Sequence, residues 1–386
     1  MALSAQAVYS EPPPLPIVLG TSTALTGPTN QLGQNMKLGL EAAFSEVNNK
    51  GGIRGRQLKL IALDDGYEPN RTSPNMRKLT AMNNLVAVIG NVGTPTAVAA
   101  LPIAIETKTP FIGAFTGAGI LRKSPPDRYV VNYRASYAEE THAMVSALIQ
   151  HGGLKPQEIG FFTQRDAYGD SGYVGAAQAL KEAGLVNEHL IVHGRYERNT
   201  LAVENGLADI LQANSRPKAL IMVGAYAPIA EFIRLARDYG FRGLFLNVSF
   251  VGATSLSSTL GKRGEGVIIT QVVPHYDANL PLTQSYRRAL AAYDETAQPS
   301  FTSIEGYITA SIFIKAMENY AGEINREGVI EALDTLGNFE IGMNAGLNLG
   351  VESHQASHRI WPTVMKNGKI VPFDWKNLPE LMRGLQ

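Results

Sequence analysis

A chain of 386 residues is longer than one hydrophobic core ordinarily serves, so two lobes are expected. Lys plus Arg number 34 against 34 Asp plus Glu, a balance that favours neither nucleic acid nor an acidic surface as partner. The sequence holds no Cys, which removes disulfides, thiolate catalysis and Cys-based metal sites together, and no run approaches the roughly 18 apolar residues of a membrane span.

The first seven residues end in Ala5-Gln6-Ala7, the small-residue pattern before a signal-peptidase cut, without the basic and apolar regions of a whole signal. A trimmed signal and an unrelated Ala/Ser-rich tail both fit. Residues 10–16 (SEPPPLP) read as a mobile linker. A short strand is expected over 17–19, closed by Gly20, followed by a loop rich in hydroxyls, Gly and Pro up to Gln31. Met36, Leu40, Ala43, Phe44 and Val47 share one face of an amphipathic helix, and Gly51-Gly52 ends it. A second strand over 57–63 stops at Asp64-Asp65-Gly66. With no third ligand nearby, these paired acids read as a turn or cap. A helix over 73–84 comes next.

Residues 86–119 organise the chain. An apolar run over 86–89 ends at Gly90, and Thr94-Pro95-Thr96 opens a helix backed by Val98, Leu101 and Ile105. A second run over 110–112 leads to Phe115-Thr116-Gly117-Ala118-Gly119. Strand, loop, helix, strand, loop is the rhythm of parallel strands with helical crossovers. Ligands of such sheets bind beyond the carboxyl ends of the strands, where both loops fall. They offer small residues, backbone N–H groups and hydroxyls but no acid, base or thiol. This chemistry holds an anionic or polar group without reacting with it.

A strand over 129–132 exits through Tyr133-Arg134-Ala135-Ser136 into a new series. Its helix, over 139–151, turns Met144, Val145, Leu148 and Ile149 inward. Strands are expected over 159–163, 190–192, 219–223 and 243–248, separated by helices reaching Ala183, spanning 201–213, and carrying Ile229, Phe232, Ile233 and Ala236. After a long strand over 267–273 the rhythm changes to three helices, over 282–295, 303–320 and 325–336. Residues 339–375 then look like β-hairpins turning at 344–346 and at Asn367-Gly368. Two β-α series, a helical segment and a β tail describe an α/β protein of two similar lobes with the chain crossing between them.

Catalytic patterns are mostly missing. Gly169-Asp170-Ser171-Gly172 matches a protease nucleophile loop for four residues, but the chain alternates β and α, and the Ser reads as a helix N-cap. Neither a Gly-x-Ser-x-Gly elbow nor a phosphate loop is present, and Gly90-Asn91-Val92-Gly93 lacks dinucleotide spacing. His354 and His358, like His189 and His193, stand four apart without a carboxylate to complete a metal pattern, so neither metal nor cofactor is expected. What remains is a set of strand-end residues, Thr94, Thr116-Gly117, Tyr168, Tyr226 and Ser249, at one edge of two facing sheets.

The residues carry a family pattern: Ala24-Leu25-Thr26-Gly27-Pro28, Asn48 with Gly51-Gly52-Ile53 and Gly55-Arg56, Asp64-Asp65, Val88-Ile89-Gly90, Thr116-Gly117-Ala118, Tyr168-Gly169 and Gly224-Ala225-Tyr226. From Pro16 to the end the chain resembles the type I periplasmic binding proteins, specifically the leucine/isoleucine/valine-binding-protein-like receptors of ABC transporters. The resemblance implies two Rossmann-like lobes joined by three crossover segments, near Arg134, near 271–273 and near 341–344, with the ligand cleft between the lobes. The implied lobes are 16–134 plus 274–340 and 135–273 plus 341–386, with 1–15 as signal remnant and linker. Thr94 and the loop of Phe115, Thr116, Gly117 and Ala118 match the positions that hold the ligand carboxylate, while Tyr168 and Tyr226 match the tyrosines that cover it. The resemblance departs at Ser249, where amino-acid binders place a carboxylate for the ammonium, and at Leu32, where an aromatic wall is common. Glu305 could supply the acid, or the ligand could lack an amine, with Arg134 as an extra partner. The implied function is a non-enzymatic periplasmic receptor that takes a small carboxylate, aromatic or branched aliphatic, or an amino acid, and delivers it to an ABC permease in the inner membrane. The sensing domain of a signalling receptor and an enzyme are the rival readings; the latter needs a nucleophile or an acid/base pair in the cleft.

Overall fold

The computed structural model describes residues 14–385, so the Ala5-Gln6-Ala7 pattern and most of the expected linker lie outside the described residues. The first series runs β1 (Ile17–Thr23), α1 (Asn30–Asn48), β2 (Leu58–Asp64), α2 (Pro69–Thr80), β3 (Leu85–Ile89), α3 (Thr94–Glu106), β4 (Phe111–Ile112) and β5 (Val130–Val131). These strands form one parallel sheet in the order β2-β1-β3-β4-β5. The second series runs α4 (Tyr137–Gln150), β6 (Ile159–Gln164), α5 (Ala167–Glu182), β7 (His193–Tyr196), α6 (Glu204–Leu211), β8 (Ala219–Val223), α7 (Tyr226–Asp238), β9 (Leu244–Asn247), α8 (Ala253–Leu260) and β10 (Ile268–Gln271). Next come α9 (Pro281–Tyr293), α10 (Phe301–Asn319), α11 (Arg326–Asp334), the hairpin β11 (Gly337–Phe339) and β12 (Leu347–Leu349), the hairpin β13 (Trp361–Lys366) and β14 (Lys369–Pro372), and α12 (Leu378–Leu385). The second sheet reads β14-β13-β10-β9-β8-β6-β7, its last hairpin antiparallel to the rest.

The parallel part of the second sheet, β7-β6-β8-β9-β10, repeats the order of the first sheet position by position. In both, the order reverses beside the first strand of the series, and that is where the crevice opens. Both sheets are covered on two faces, so central strands such as LVAVI and ALIMV are buried at every residue. Helices α9 to α11 return to the first sheet's side. There α10, apolar on nearly every face, crosses α1 so closely that a Cβ on Gly39 would lie 1.8 Å from the Ser303 carbonyl oxygen.

Three chain crossings lie side by side between the sheets. Tyr133 joins them: its carbonyl accepts from Ser357 N (2.8 Å) and its hydroxyl donates to the Val272 carbonyl (2.9 Å). The third crossing comes later than residues 341–344. β12 pairs with β11, and His354 reaches Asp334 Oδ1 (2.9 Å) and the Val130 carbonyl (2.8 Å), so the chain is still beside the first sheet at His354. Gln355 (3.0 Å) and His358 (2.6 Å) then reach Glu139 on α4, and Trp361 enters the second sheet.

Other expectations shift locally. The strand expected over 190–192 lies at His193–Tyr196, because an edge strand tolerates His193 and Arg195 while the apolar run before it follows a helical turn. Helix α8 (ATSLSSTL) escaped its Ser/Thr-rich sequence, yet Ala253, Leu256 and Leu260 are buried. Ser171 is not a cap: Asp166 caps α5 by accepting from Tyr168 N (3.0 Å), and Ser171 bonds the Ala167 carbonyl within the helix. No helix among the described residues is long and apolar enough to cross a membrane.

Candidate functional site

The site begins at the switch point of the first sheet. Gly90 (φ +68°) and Gly93 (φ +106°) turn the chain out of β3 in conformations that Gly adopts without strain. Pro95 then starts α3 directly after Thr94. The loop after β4 is zipped to this one, Phe115 N donating to the Asn91 carbonyl (2.8 Å). The two loops bring Thr94 Oγ1 and Thr116 Oγ1 to 2.6 Å, both side chains buried. Ala118 N donates to Thr116 Oγ1 (3.3 Å), and the Gly117 carbonyl accepts from Tyr137 N (2.8 Å). The Tyr137 hydroxyl is buried without a hydrogen-bond partner. Burial raises its pKa, and the nearby Arg134, Thr116 and Thr94 oppose that rise.

Aromatic rings from both lobes wall this spot. Phe250, in the turn after β9, meets Tyr168 (4.6 Å between centroids), Phe115 (5.3 Å) and Tyr67 (6.0 Å), and Tyr168 meets Tyr137 (5.3 Å). The Tyr168 hydroxyl donates to the Gly224 carbonyl (3.3 Å). Tyr226 stands elsewhere, also buried. Its hydroxyl donates to Asn30 Oδ1 (3.4 Å), and it lines an interlobe groove of about 390 Å³ with Gln31, Asn35, Gly252 and Thr302. Leu32, buried, packs beside Gly252 at the same seam.

Beside the hydroxyls lies a buried charge cluster. Arg134, 1% exposed, sits over the Phe115 ring (5.0 Å). Its Nη2 donates to Ser249 Oγ and to Glu140 Oε1 (3.2 Å), and its Nη1 is 3.4 Å from Glu305 Oε1. Glu140 also accepts from Ser249 N (2.8 Å), Ser249 Oγ (2.9 Å) and Thr270 Oγ1 (2.6 Å). Burial pushes the Glu140 carboxyl up, and these donors hold its charge. Glu305 lacks such donors, and burial pushes its carboxyl up to about 7 against the pull of Arg134. Ser249 therefore sits among charges without being a counter-ion: it presents Glu140 to Arg134.

The structure thus gathers Thr94, Phe115, Thr116, Gly117, Ala118, Arg134, Tyr168, Ser249 and Glu305 around one buried region and places Tyr226 in the groove lined by Gln31, Asn35 and Gly252. Tyr67, Tyr137, Glu140 and Phe250 were not expected there. Glu140 did leave a signal: it falls on the helical stripe of Tyr137, Met144 and Ala147, an acid on a buried face. Glu139, its neighbour, closes the capping box with Ser136. The lobes are clasped over the site. Tyr67, fully buried, accepts from Gln164 Nε2 (3.2 Å), and Glu68 accepts from Arg198 Nη2 (2.8 Å) and Asn199 Nδ2 (2.6 Å). Asp64 and Asp65 are structural: Asp64 accepts from Leu25 N (2.9 Å) and Gly66 N (3.0 Å), and Asp65 from Ser22 Oγ (2.7 Å). Among the described residues no group of three or more His, Asp or Glu is placed to hold a metal.

Two lobes of matching topology, joined by three crossings and closed over buried hydroxyls and aromatics, define a two-lobed binding protein of type I architecture. The family model described as "Periplasmic binding protein" matches residues 16–369, and the chain belongs to that family. A solved structure from Rhodopirellula baltica SH 1, described as a possible leucine/isoleucine/valine-binding protein, is 51% identical. It covers 95% of this chain and 98% of its own, with a TM-score of 0.92. A substrate-binding periplasmic protein from Ralstonia solanacearum is 27% identical over 92% of this chain and 100% of its own, with a TM-score of 0.84. Leu/Ile/Val-binding protein homolog 7 of Brucella melitensis biotype 1 is 25% identical over 363 residues, 89% of this chain and 88% of that protein. The family is one of binding proteins, and this chain is a solute-binding protein of the leucine/isoleucine/valine type.

Proposed function

We propose that the chain is an extracytoplasmic receptor that traps a small carboxylate or amino acid between its lobes and delivers it to an ABC permease. The observation that carries this reading is the hydroxyl trio of Thr94, Thr116 and Tyr137. Two of the hydroxyls are bonded only 2.6 Å apart, and the third is buried with no partner. A carboxylate that replaced the Thr94–Thr116 and Ala118–Thr116 bonds would accept from all three hydroxyls and from the amide of Ala118, so its charge would be met by neutral donors. The aromatic wall of Phe115, Tyr168 and Phe250 supports an apolar ligand body, and Tyr226 at the groove is the gate residue of this reading. The names of the relatives, leucine/isoleucine/valine-binding proteins, support a small acid of branched or similar bulk. We take the two sheets with their helices as the bodies that close, with the crossings at Tyr133 as the hinge.

Thermal melts of refolded, ligand-stripped protein against a panel of amino acids and amine-free acids test the reading. A ligand at about 100 times its Kd adds about 2.7 kcal/mol, an easily seen shift. Thr116→Val should weaken the hit by ten- to a hundredfold, about 1.5–3 kcal/mol, and should also lower the ligand-free melt, since Thr94 Oγ1 and Ala118 N lose a buried partner. Unchanged affinity in that variant would remove the threonine end from the site.

A further inference from the structure

We propose that the site takes an amine-free organic acid whose oxygen atoms complete Nε and Nη1 of Arg134, and that Glu305 is protonated while the acid is bound. This rests on the reading of the interlobe region as the solute site.

The donor and acceptor count carries the inference. An ammonium needs a carboxylate with free acceptor positions. Glu140 already accepts from Arg134 Nη2, Ser249 N, Ser249 Oγ and Thr270 Oγ1, and Glu305, which keeps acceptor positions, already faces Arg134 Nη1 at 3.4 Å. Arg134 shows the opposite condition. It is 1% exposed; its Nε has no hydrogen-bond partner, and its Nη1 meets only Glu305 Oε1, at 3.4 Å and outside hydrogen-bond geometry. Buried donors call for acceptors, which an oxo, hydroxyl or carboxylate oxygen supplies and an ammonium does not. The guanidinium lies 5.0 Å from the Phe115 ring centroid and 5.8 Å from that of Tyr137, whose hydroxyl is the unpartnered member of the trio, so both sets of free donors border the same wall.

The charges agree. Glu305 is faced by Arg134 and Tyr133 from the first crossing, Glu140 from α4 and Arg122 from the turn after β4. Arg122 donates to the carbonyls of Ala118 (2.9 Å), Thr116 (3.2 Å) and Arg134 (3.1 Å), so its cation backs the threonine loop. With both glutamates ionised, two carboxylates already flank Arg134 and repel a third. A proton on Glu305 leaves Arg134 balanced by Glu140 and gives Glu305 an O–H to donate. The carboxyl sits at about 7, so that proton is taken from solvent near neutrality.

Calorimetry on ligand-stripped, full-length protein tests this with matched pairs: 4-methyl-2-oxopentanoate against L-leucine, and phenylpyruvate against L-phenylalanine. In at least one pair the oxo acid should bind tenfold or more tightly than its amino acid. Its affinity should fall by up to about tenfold per pH unit above 7, with proton uptake read from the dependence of the heat on buffer ionisation. Glu305→Gln should bind the same acid with a flat pH profile and no proton uptake, and its melt reports folding independently. Tighter binding of an amino acid, abolished by Glu305→Gln, would overturn the proposal and make Glu305 the ammonium partner, leaving the receptor reading intact. Silence from both pairs would overturn the acid assignment. The receptor reading would fall with it only if native mass spectrometry of the protein as purified also showed no bound solute.

Discussion

Glu305 gives the site its pH signature at the scale of a single residue. Its carboxyl is held at about 7, while in the unfolded chain it titrates near 4.5. Between those values the unfolded state loses the proton first, so this group's contribution to stability declines as pH rises from about 4.5 to about 7 and is flat above. Glu305→Gln should therefore melt higher than the parent at pH 8, by a few kcal/mol, with the difference vanishing toward pH 4.5. A variant less stable than the parent at pH 8 would mean that the ionised Arg134–Glu305 pair is a net stabiliser. The threonine end was legible in the sequence because strand-end loops of small and hydroxyl residues are local patterns. The cluster around Arg134 was less so. Arg134 and Glu305 are 171 positions apart, and Glu140 looks like an ordinary first-turn acid beside Glu139. Only the fold shows that Ser249, the apparent loss of a counter-ion, is the residue that holds Glu140 in place.

Among the elements, the crossing of α1 and α10 sets the backbone on which Glu305 is carried. Gly39 faces the Ser303 carbonyl, and a Cβ on Gly306 would lie 2.4 Å from the Met36 carbonyl oxygen, so each helix offers a glycine to the other's backbone. Gly39→Ala must push the helices apart. It should cost about 1–3 kcal/mol in a denaturant melt and also weaken ligand binding, because Glu305 is carried on the helix that must move. An alanine that left both unchanged would show that the seam is loose. Elements whose burial shows in their own sequence, such as β3, β8 and α7, were read close to their observed positions. Those whose burial depends on a distant neighbour were not. Helix α8 hides three buried apolar side chains among Ser and Thr, and the third crossing was displaced because His354 and the β11–β12 hairpin bind a polar tail to the first sheet.

Across the whole molecule, the two lobes are joined by the crossings and by a clasp. The crossings meet at Tyr133, next to Arg134, and the clasp joins Glu68 of the first lobe to Arg198 and Asn199 of the second. Glu68 and Arg198 are partly exposed, so the clasp contributes modestly to closure. Glu68→Ala should raise the ligand off-rate by about two- to tenfold with little change in on-rate, as stopped-flow Tyr fluorescence would record. Small-angle X-ray scattering reads closure of the lobes. The ligand-stripped protein should be measured alone and then with a saturating acid whose binding a melting shift has established. With ligand bound, the radius of gyration should fall toward that of the closed form. An unchanged curve with ligand bound would contradict it, and would mean that the lobes do not trap their solute by moving together.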